Sequence, residues 1–483
     1  MAEDYLTYCS KLVDELCNGI DNGDLQRDEI PDKYRWEHME ALFQLSHTMN
    51  GGQEMYEKIY DMVISSAERR LKKKAINGKK INVLFQSYSA AQWPAADVYN
   101  AILNDQRINV GVIVSPMVDR DEESRLNTYS QVKKWFIDRQ YKIIEGLKED
   151  NNSYIQWQDL QDVPDVLYIT SSWYDSLPQG QRFTDLPLKC LVAYIPYGLY
   201  LANGVEGSYA KYAVYDKELF SLMWRVYCDC AKNLEGYQKY QYIKGKNVRF
   251  SGYSKMDYFY TPKEWSEEEI NTLWKIPKGK KSSGVKRVII APHFSVGNTG
   301  HVLFSTFQKN CWFLLFLAEK YKDSVSFILK PHPNLRFASV AYGLFKSYRE
   351  YDDYLQNWND LPNCRVVQDA GYLDIFATSD AMIMDSGSFL GEYLYTQKPL
   401  LYLTRPEQAF LPIGDKVVNA YYRTPGEDYM GIESFLNDVV LRGNDPMKHA
   451  REEVFKEEYD YLSMNKIKAS EYICKELFEL MRV

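Results

Sequence analysis

The chain has 483 residues, too many for one hydrophobic core, so at least two domains are expected. Its 45% apolar and 26% charged residues are ordinary for a folded soluble protein, and a formal net charge of -8 excludes the basic footprint of a nucleic-acid binder. Forty tyrosines stand out, serving core packing and interdomain contact first and carbohydrate or polyol contact second.

Residues 1–78 read as an N-terminal helical region with no strand pattern. Glu37, His38, Met39, Leu42, Phe43, Leu45 and His47 fit one amphipathic segment, and Met55, Ile59, Met62, Val63 and Ile64 fit another. The region ends in Arg69-Arg70-Leu71-Lys72-Lys73-Lys74, with Lys79-Lys80 beyond. Such a run is either a solvated helix end or a patch attracted to anionic lipid or polymer. Met1-Ala2-Glu3-Asp4 offers neither a positive nor an apolar leader, and the longest apolar patch, 311–318, is far too short to span a bilayer. The expected location is cytoplasmic, with peripheral contact at the inner face of the cell membrane at most.

From Ile81 the texture changes to short β-rich runs separated by helical stretches. Runs at 81–85, 109–114, 165–170, 190–195 and 248–250 predict the strands of a first half, with Pro94 opening a helix after the polar loop 86–93. The turn-rich connector 277–284 leads to a second half, with strands predicted at 287–291, 325–330, 365–367, 381–384 and 399–403 and a helix from Leu303 to Tyr321. The expected fold class is α/β, two Rossmann-like doubly wound domains facing across a cleft. Expected boundaries are 1–78, 79–262 and 263–465, with a C-terminal helix at 466–483. Cys9, Cys17, Cys190, Cys228, Cys230, Cys311, Cys364 and Cys474 are scattered, and one C-x-C pair makes no zinc pattern, so reduced and mostly buried thiols are expected.

The stretch 379–388, Ser-Asp-Ala-Met-Ile-Met-Asp-Ser-Gly-Ser, reads as a buried strand entering a tight polar loop that opens a helix. Backbone N–H groups at such a place suit an anion, and nucleotide phosphates sit past the carboxyl end of a strand in open α/β sheets. A second phosphate-suited segment, Lys330-Pro331-His332-Pro333-Asn334-Leu335-Arg336, precedes it.

In this order the segments resemble the CDP-glycerol glycerophosphotransferase family of teichoic-acid primases and polymerases. Residues 250–257 are similar to the family's Gly-Tyr-Pro-Arg-Asn-Asp segment, and 288–294 to its strand ending Tyr-Ala-Pro-Thr-Phe-Arg. Lys330-Pro331-His332-Pro333 matches its Lys-x-His-Pro element. Residues 379–388, with Glu392 and Lys398-Pro399, resemble its Ser-Asp-x-x-Ile-Thr-Asp-Tyr-Ser-Ser…Asp…Lys-Pro run, and 465–471 its closing Asp-Gly-Lys-Ala-Ser. The resemblance implies a GT-B-like fold, with an acceptor-side amino half and a CDP-alcohol-binding carboxyl half. It implies transfer of a polyol phosphate from a CDP-alcohol donor to a hydroxyl of a lipid-linked or polymeric acceptor, with release of CMP. One position departs. The family's Trp-His-Gly element, whose histidine is its expected base, corresponds here to Tyr197-Gly198, and a tyrosine of ordinary pKa is a poor base at neutral pH.

The candidate site follows. His332, stiffened by flanking prolines, is expected to contact the diphosphate or protonate departing CMP; its alternative is a turn-capping histidine. Lys330 and Arg336 add positive charge, or are ordinary surface cations. Ser386, Gly387 and Ser388 are expected to offer hydroxyls, close backbone approach and N–H groups, with Asp385 holding the loop or a polyol hydroxyl. Glu392 is a candidate for a ribose or polyol hydroxyl, or a solvated carboxylate. With Tyr197 in the base position, His293 is the expected substitute base. Gln92, Trp93 and Asp97, with Tyr197 and Gly198, are acceptor-side candidates. No metal cluster is evident; no cofactor is expected to be tightly held, and Mg²⁺ carried on a diphosphate leaves no sequence trace. The rival readings are a nucleotide-sugar glycosyltransferase of the same plan and a non-catalytic nucleotide- or polymer-binding homologue.

Overall fold

The computed structural model describes residues 2–27, 29–368 and 371–482 of the chain. Two compact units share it, one from Met1–Gly198, Tyr215–Lys255 and Tyr461–Val483, the other from Leu199–Val214 and Met256–Asp460.

The first unit holds a seven-stranded sheet: β1 (Ile81–Ser87), β2 (Ile108–Val114), β3 (Ile143–Glu145), β4 (Val166–Ile169), β5 (Leu191–Tyr194), β6 (Arg225–Cys228) and β7 (Val248–Phe250). The order is β3-β2-β1-β4-β5-β6-β7 and every pairing is parallel. Such strands are covered on both faces, so they read as apolar runs rather than alternations. Three of them, β3 and β6 here and β13 below, carry no such run and are not expected from the sequence. The amino-terminal helices, Ala2–Asp21, Trp36–Ser46 and Gly52–Ile76, belong to this unit, as does Ala469–Leu480. Tyr56 and Tyr60 anchor the third helix by donating to the Ser221 and Met223 carbonyls at 2.9 and 2.7 Å. Two cations of the basic run are committed inward. Arg70 and Lys74 reach the buried Asp165 carboxylate at 2.8 and 2.6 Å, and the Asn82 N–H donates to the same group at 2.8 Å.

The second unit has six parallel strands: β8 (Lys286–Ala291), β9 (Val325–Leu329), β10 (Cys364–Val366), β11 (Ala381–Met384), β12 (Leu400–Thr404) and β13 (Tyr422–Pro425). Their order is β10-β9-β8-β11-β12-β13. Helix Phe307–Lys320 puts Phe307, Cys311, Leu314 and Leu317 on this sheet, and Tyr348–Asp360 adds Tyr351, Tyr354, Leu355 and Trp358. Both sets recur at helical spacing, and each large apolar side chain contributes about 1.5–3 kcal/mol when buried. The helix expected from Leu303 starts later, at Phe307, because residues 303–306 are drawn into a loop that feeds the site below.

Both units are therefore doubly wound. In each, strand order reverses between the first strand and the fourth, β1 and β4 in one, β8 and β11 in the other. The crevice past the carboxyl ends at such a switch is where ligands bind in this architecture. Among the described residues no helix is long and apolar enough to cross a membrane, and none of the eight cysteines is in a disulfide, all but Cys17 being buried.

Candidate functional site

At the switch point of the second sheet, β11 ends in Asp385. Its Oδ1 accepts the His293 N–H at 2.6 Å; its Oδ2 accepts the Thr306 N–H at 2.6 Å, the Thr306 hydroxyl at 2.9 Å and the Ser305 hydroxyl at 3.4 Å. Burial pushes this carboxyl up to about 6, and the bonds from Thr306, His293 and Ser305 pull against that rise. Four donors occupy it. Asp385 is the post that fixes the loop between β8 and the following helix, and of its two expected roles it fills the loop-holding one.

That loop sets the chemistry of His293. Ser295 Oγ accepts the Phe304 N–H at 2.9 Å and the Ser305 N–H at 3.4 Å, leaving its own hydrogen for His293 Nδ1, 2.8 Å away. The Ser295 N–H also points at Nδ1, at 3.3 Å. A backbone N–H can only donate, so Nδ1 is an acceptor and the neutral ring carries its proton on Nε2. Burial, with the His332 ring beside it, holds His293 well below the usual imidazole range. A base role for His293, expected above, does not fit this arrangement: one nitrogen is already occupied and the other holds a hydrogen.

His332 repeats the pattern. The loop after β9 is tied to the loop after β8 by the His332 N–H, which donates to the Pro292 carbonyl at 3.1 Å. The Asn334 N–H donates to His332 Nδ1 at 3.1 Å, so Nε2 again bears the hydrogen. Burial, then the nearby Lys330 charge, brings this imidazole down to about 4. The two rings lie 5.2 Å apart, inclined at 62°. The switch point thus holds two neutral histidines, each presenting an Nε2–H donor and each fixed through Nδ1 by a backbone N–H.

The remaining donor-side candidates divide. Lys330 is buried at the end of β9, its Nζ 5.8 Å from the centre of the Tyr372 ring. The Tyr372 hydroxyl donates to Glu392, which is buried rather than solvated, and Phe389 packs on Tyr372 at 4.8 Å. Arg336 falls out of the group: its guanidinium grips Asp352 through two bonds, at 2.8 and 2.7 Å, so its charge is neutralised locally. Ser386 is buried and Ser388 exposed. Gly387 has a φ of -79°, and a Cβ there would meet only the Ala202 Cβ, at 3.4 Å. The backbone conformation itself does not require glycine at 387. The expected helix after this loop is a single five-residue turn, Ser388–Glu392, continuing as a 3₁₀ turn, so its dipole is a small contribution. Lys398 donates to the Phe376 and Ala377 carbonyls at 3.0 and 2.6 Å and closes the end of helix Leu373–Thr378; burial lowers it to about 8.

In the first unit, the acceptor-side candidates surround the ends of β1 and β5. Trp93 belongs to the core: it packs on Phe85, Phe136 and Tyr141, and its indole N–H donates to the Tyr141 hydroxyl at 3.1 Å. Its expected contact with an acceptor is thereby corrected to a packing role. Gln92 is half-buried, and its N–H donates to Ser89 Oγ at 3.4 Å. Asp97 is exposed in the first turn of helix Ala96–Leu103, where a carboxylate complements the dipole. Tyr197 receives the Trp173 indole N–H at 3.1 Å, and its carbonyl accepts the Tyr253 hydroxyl at 2.7 Å. A Cβ added at Gly198 meets nothing within 4 Å.

Sequence reasoning did not single out Ser295, Thr306 or Tyr372. Ser295 carries the one legible signal, a hydroxyl two residues after a histidine in a loop. Among the described residues no three His, Cys, Asp or Glu side chains converge to hold a metal ion. Asp385, occupied by four hydrogen-bond donors, is committed to holding its loop.

No protein-family model matches the sequence, and no curated protein does either. Solved structures do. A variant of the wall teichoic acid polymerase TagF soaked with CDPG aligns over 92% of this chain and 98% of its own, at 12% identity and a TM-score of 0.51. A second TagF variant gives 92%, 97%, 12% and 0.50. UDP-GlcNAc 2-epimerase from Neisseria meningitidis, bound to UDP-GlcNAc, aligns over 83% of this chain and all of its own, at 15% identity and a TM-score of 0.47. At this level of identity TagF and this chain share a fold, the GT-B plan of two doubly wound parallel-sheet domains.

Proposed function

We propose that the chain is a transferase that moves a polyol phosphate, glycerol phosphate or a similar unit, from a CDP-alcohol donor to a hydroxyl of a lipid-linked or polymeric acceptor, in synthesis of a teichoic-acid-like or capsular polymer. The observation that carries the reading is the pair of Nε2–H donors on His293 and His332 at the switch point of the second sheet, with the Lys330 cation buried at the end of the adjoining strand. The fold shared with TagF and the five sequence segments described above support it.

The acceptor oxygen attacks the phosphorus that carries the alcohol. The bond from that phosphorus to the bridging oxygen breaks, CMP leaves with the electron pair, and the acceptor proton is released. Negative charge builds on the bridging and non-bridging oxygens, and fixed N–H donors and a cation aimed there stabilise it without reorganising. Neutral imidazoles suit the task, since each is held in one tautomer and has a hydrogen to give. The absence of a side chain at Gly387 lets a phosphate approach the loop closely.

A thermal-shift panel of CDP-glycerol, CDP-ribitol, CMP and uridine diphosphate sugars tests the reading. CDP-alcohols and CMP should stabilise the protein and CDP-alcohol should yield CMP with acceptor present. Response to uridine compounds alone would transfer the chain to the nucleotide-sugar class. Cytidine binding without CMP release would make it a binding homologue.

A further inference from the structure

The first sheet has a switch point of its own, between β1 and β4, and the donor chemistry above makes no use of it. The two loops there are tied together: Thr170 Oγ1 donates to the Gln86 carbonyl at 3.0 Å, and the Tyr88 hydroxyl bonds that of Ser171. Just beyond, Trp173 stands with 45% of its surface exposed. It is nevertheless held firmly. Its backbone N–H donates to Ser171 Oγ at 3.3 Å, its indole N–H to the Tyr197 hydroxyl at 3.1 Å, and Lys217 Nζ lies 5.0 Å over its ring. Lys217 is itself placed by a bond to the Ser172 carbonyl. An indole fixed along one edge and under one cation, with 45% of its surface open, is preorganised for contact.

We propose that Trp173, Tyr197 and Lys217 form a platform for a phosphate-bearing sugar, the ring stacking on the open indole surface and the phosphate lying against the Lys217 ammonium. The place is right for a ligand: it is the crevice past the carboxyl ends of β1 and β4. The ligand class follows from the surface. A flat aromatic favours a ring with C–H groups on one side, and the cation selects an anionic substituent. Burial lowers the Lys217 pKa, with the Asp175 carboxylate opposing, so an arriving phosphate restores favour to the charged form. That the sugar is the acceptor rests on the proposed function; that it binds does not.

The test titrates wild type, Trp173→Ala, Trp173→Phe and Lys217→Gln by saturation-transfer NMR. The probes are N-acetylglucosamine 1-phosphate, unphosphorylated N-acetylglucosamine and glycerol 3-phosphate, which lacks a ring. The platform predicts that the sugar phosphate binds best, that Trp173→Ala weakens it about tenfold or more, and that Trp173→Phe stays within about threefold. Lys217→Gln should weaken the sugar phosphate and leave the unphosphorylated sugar unchanged. Absence of sugar-phosphate binding to wild type, or equal binding by Trp173→Ala, overturns the platform. CDP-glycerol thermal shifts on the same samples keep the two ideas apart. If they persist while sugar phosphate fails, the platform alone falls; if they are absent while sugar phosphate binds, the donor reading falls and the platform stands.

Discussion

His332 is the residue on which the donor reading can be tested most directly. Its Nε2–H is free of the bond that fixes Nδ1, and its ring is partly exposed. Replacing it with alanine removes one charge-assisted hydrogen bond to the diphosphate, worth about 1.5–3 kcal/mol, so CDP-glycerol affinity should fall roughly ten- to hundredfold in calorimetric titration. Unchanged affinity would remove His332 from the site. The same residue makes a prediction about stability. Unfolded, an imidazole takes its proton below about 6.5; folded, this one does so only at about 4. Between those values the unfolded state binds more protons, so the His332 contribution grows as pH rises through that window and fades on acidification. Asp385 runs the other way, holding a proton up to about 6 when folded, so the whole-protein curve mixes both. The difference between wild type and His332→Ala isolates the histidine. That difference in unfolding free energy, measured in denaturant, should shrink in wild type's disfavour between pH 7 and pH 5. A difference that does not change with pH would mean that the ring is as hydrated as in the unfolded chain.

At the scale of elements, two glycines that look alike in sequence do opposite things. Gly252, just after β7, has a φ of +85°, and a Cβ there would lie 2.1 Å from the Tyr461 ring. Gly252→Ala therefore combines left-handed strain with a clash against a buried ring, and should cost more than about 2 kcal/mol in unfolding experiments. Gly387 has an ordinary φ, and a Cβ there would make only one van der Waals contact, with the Ala202 Cβ at 3.4 Å. Gly387→Ala should leave the melting temperature within a degree or two while weakening CDP-glycerol binding; a large fall in melting temperature would show that the loop needs glycine for its own fold. The difference was not legible beforehand, because it lies in φ and in a neighbour 209 residues away (Gly252 to Tyr461). The central strands were legible. β1, β2, β8 and β11 are buried on both faces and spell apolar runs. β3 and β13 escaped because they are short edge strands with exposed side chains, and β6 because its four residues open on Arg225. In the site, His332 and the 385–388 loop could be read from their flanking residues. The tautomers could not: they depend on Ser295 and Asn334 N–H directions, which no spacing rule supplies.

Over the whole molecule, the chain returns to its first unit at the end, and the sequence hides this because 466–483 reads as an independent helix. Ala469–Leu480 packs on Ala96–Leu103, with Cys474 Sγ against the Val98 carbonyl. Ile473, Leu477 and Met481 are buried, and Glu476 holds Arg225 and Arg249 at 3.0 and 3.3 Å beside the β6 and β7 strands. Tyr461 fills the space over Gly252 and donates to the Tyr253 carbonyl at 3.3 Å. Each buried apolar side chain is worth about 1.5–3 kcal/mol, and losing Glu476 leaves Arg225 only the more distant Glu68 carboxylate, at 3.8 Å, which adds an electrostatic cost. The sum rivals the whole stability of a typical domain, about 5–15 kcal/mol. Ending the chain before Tyr461 should therefore unfold the first unit while sparing the second, whose segments stop at Asp460. Hydrogen exchange would show it: β1, β2, β4 and β5 should lose protection, while β8, β9 and β11 keep theirs and CMP still stabilises the protein. Protection lost evenly across both sheets would instead mean that the two units fold as one cooperative body.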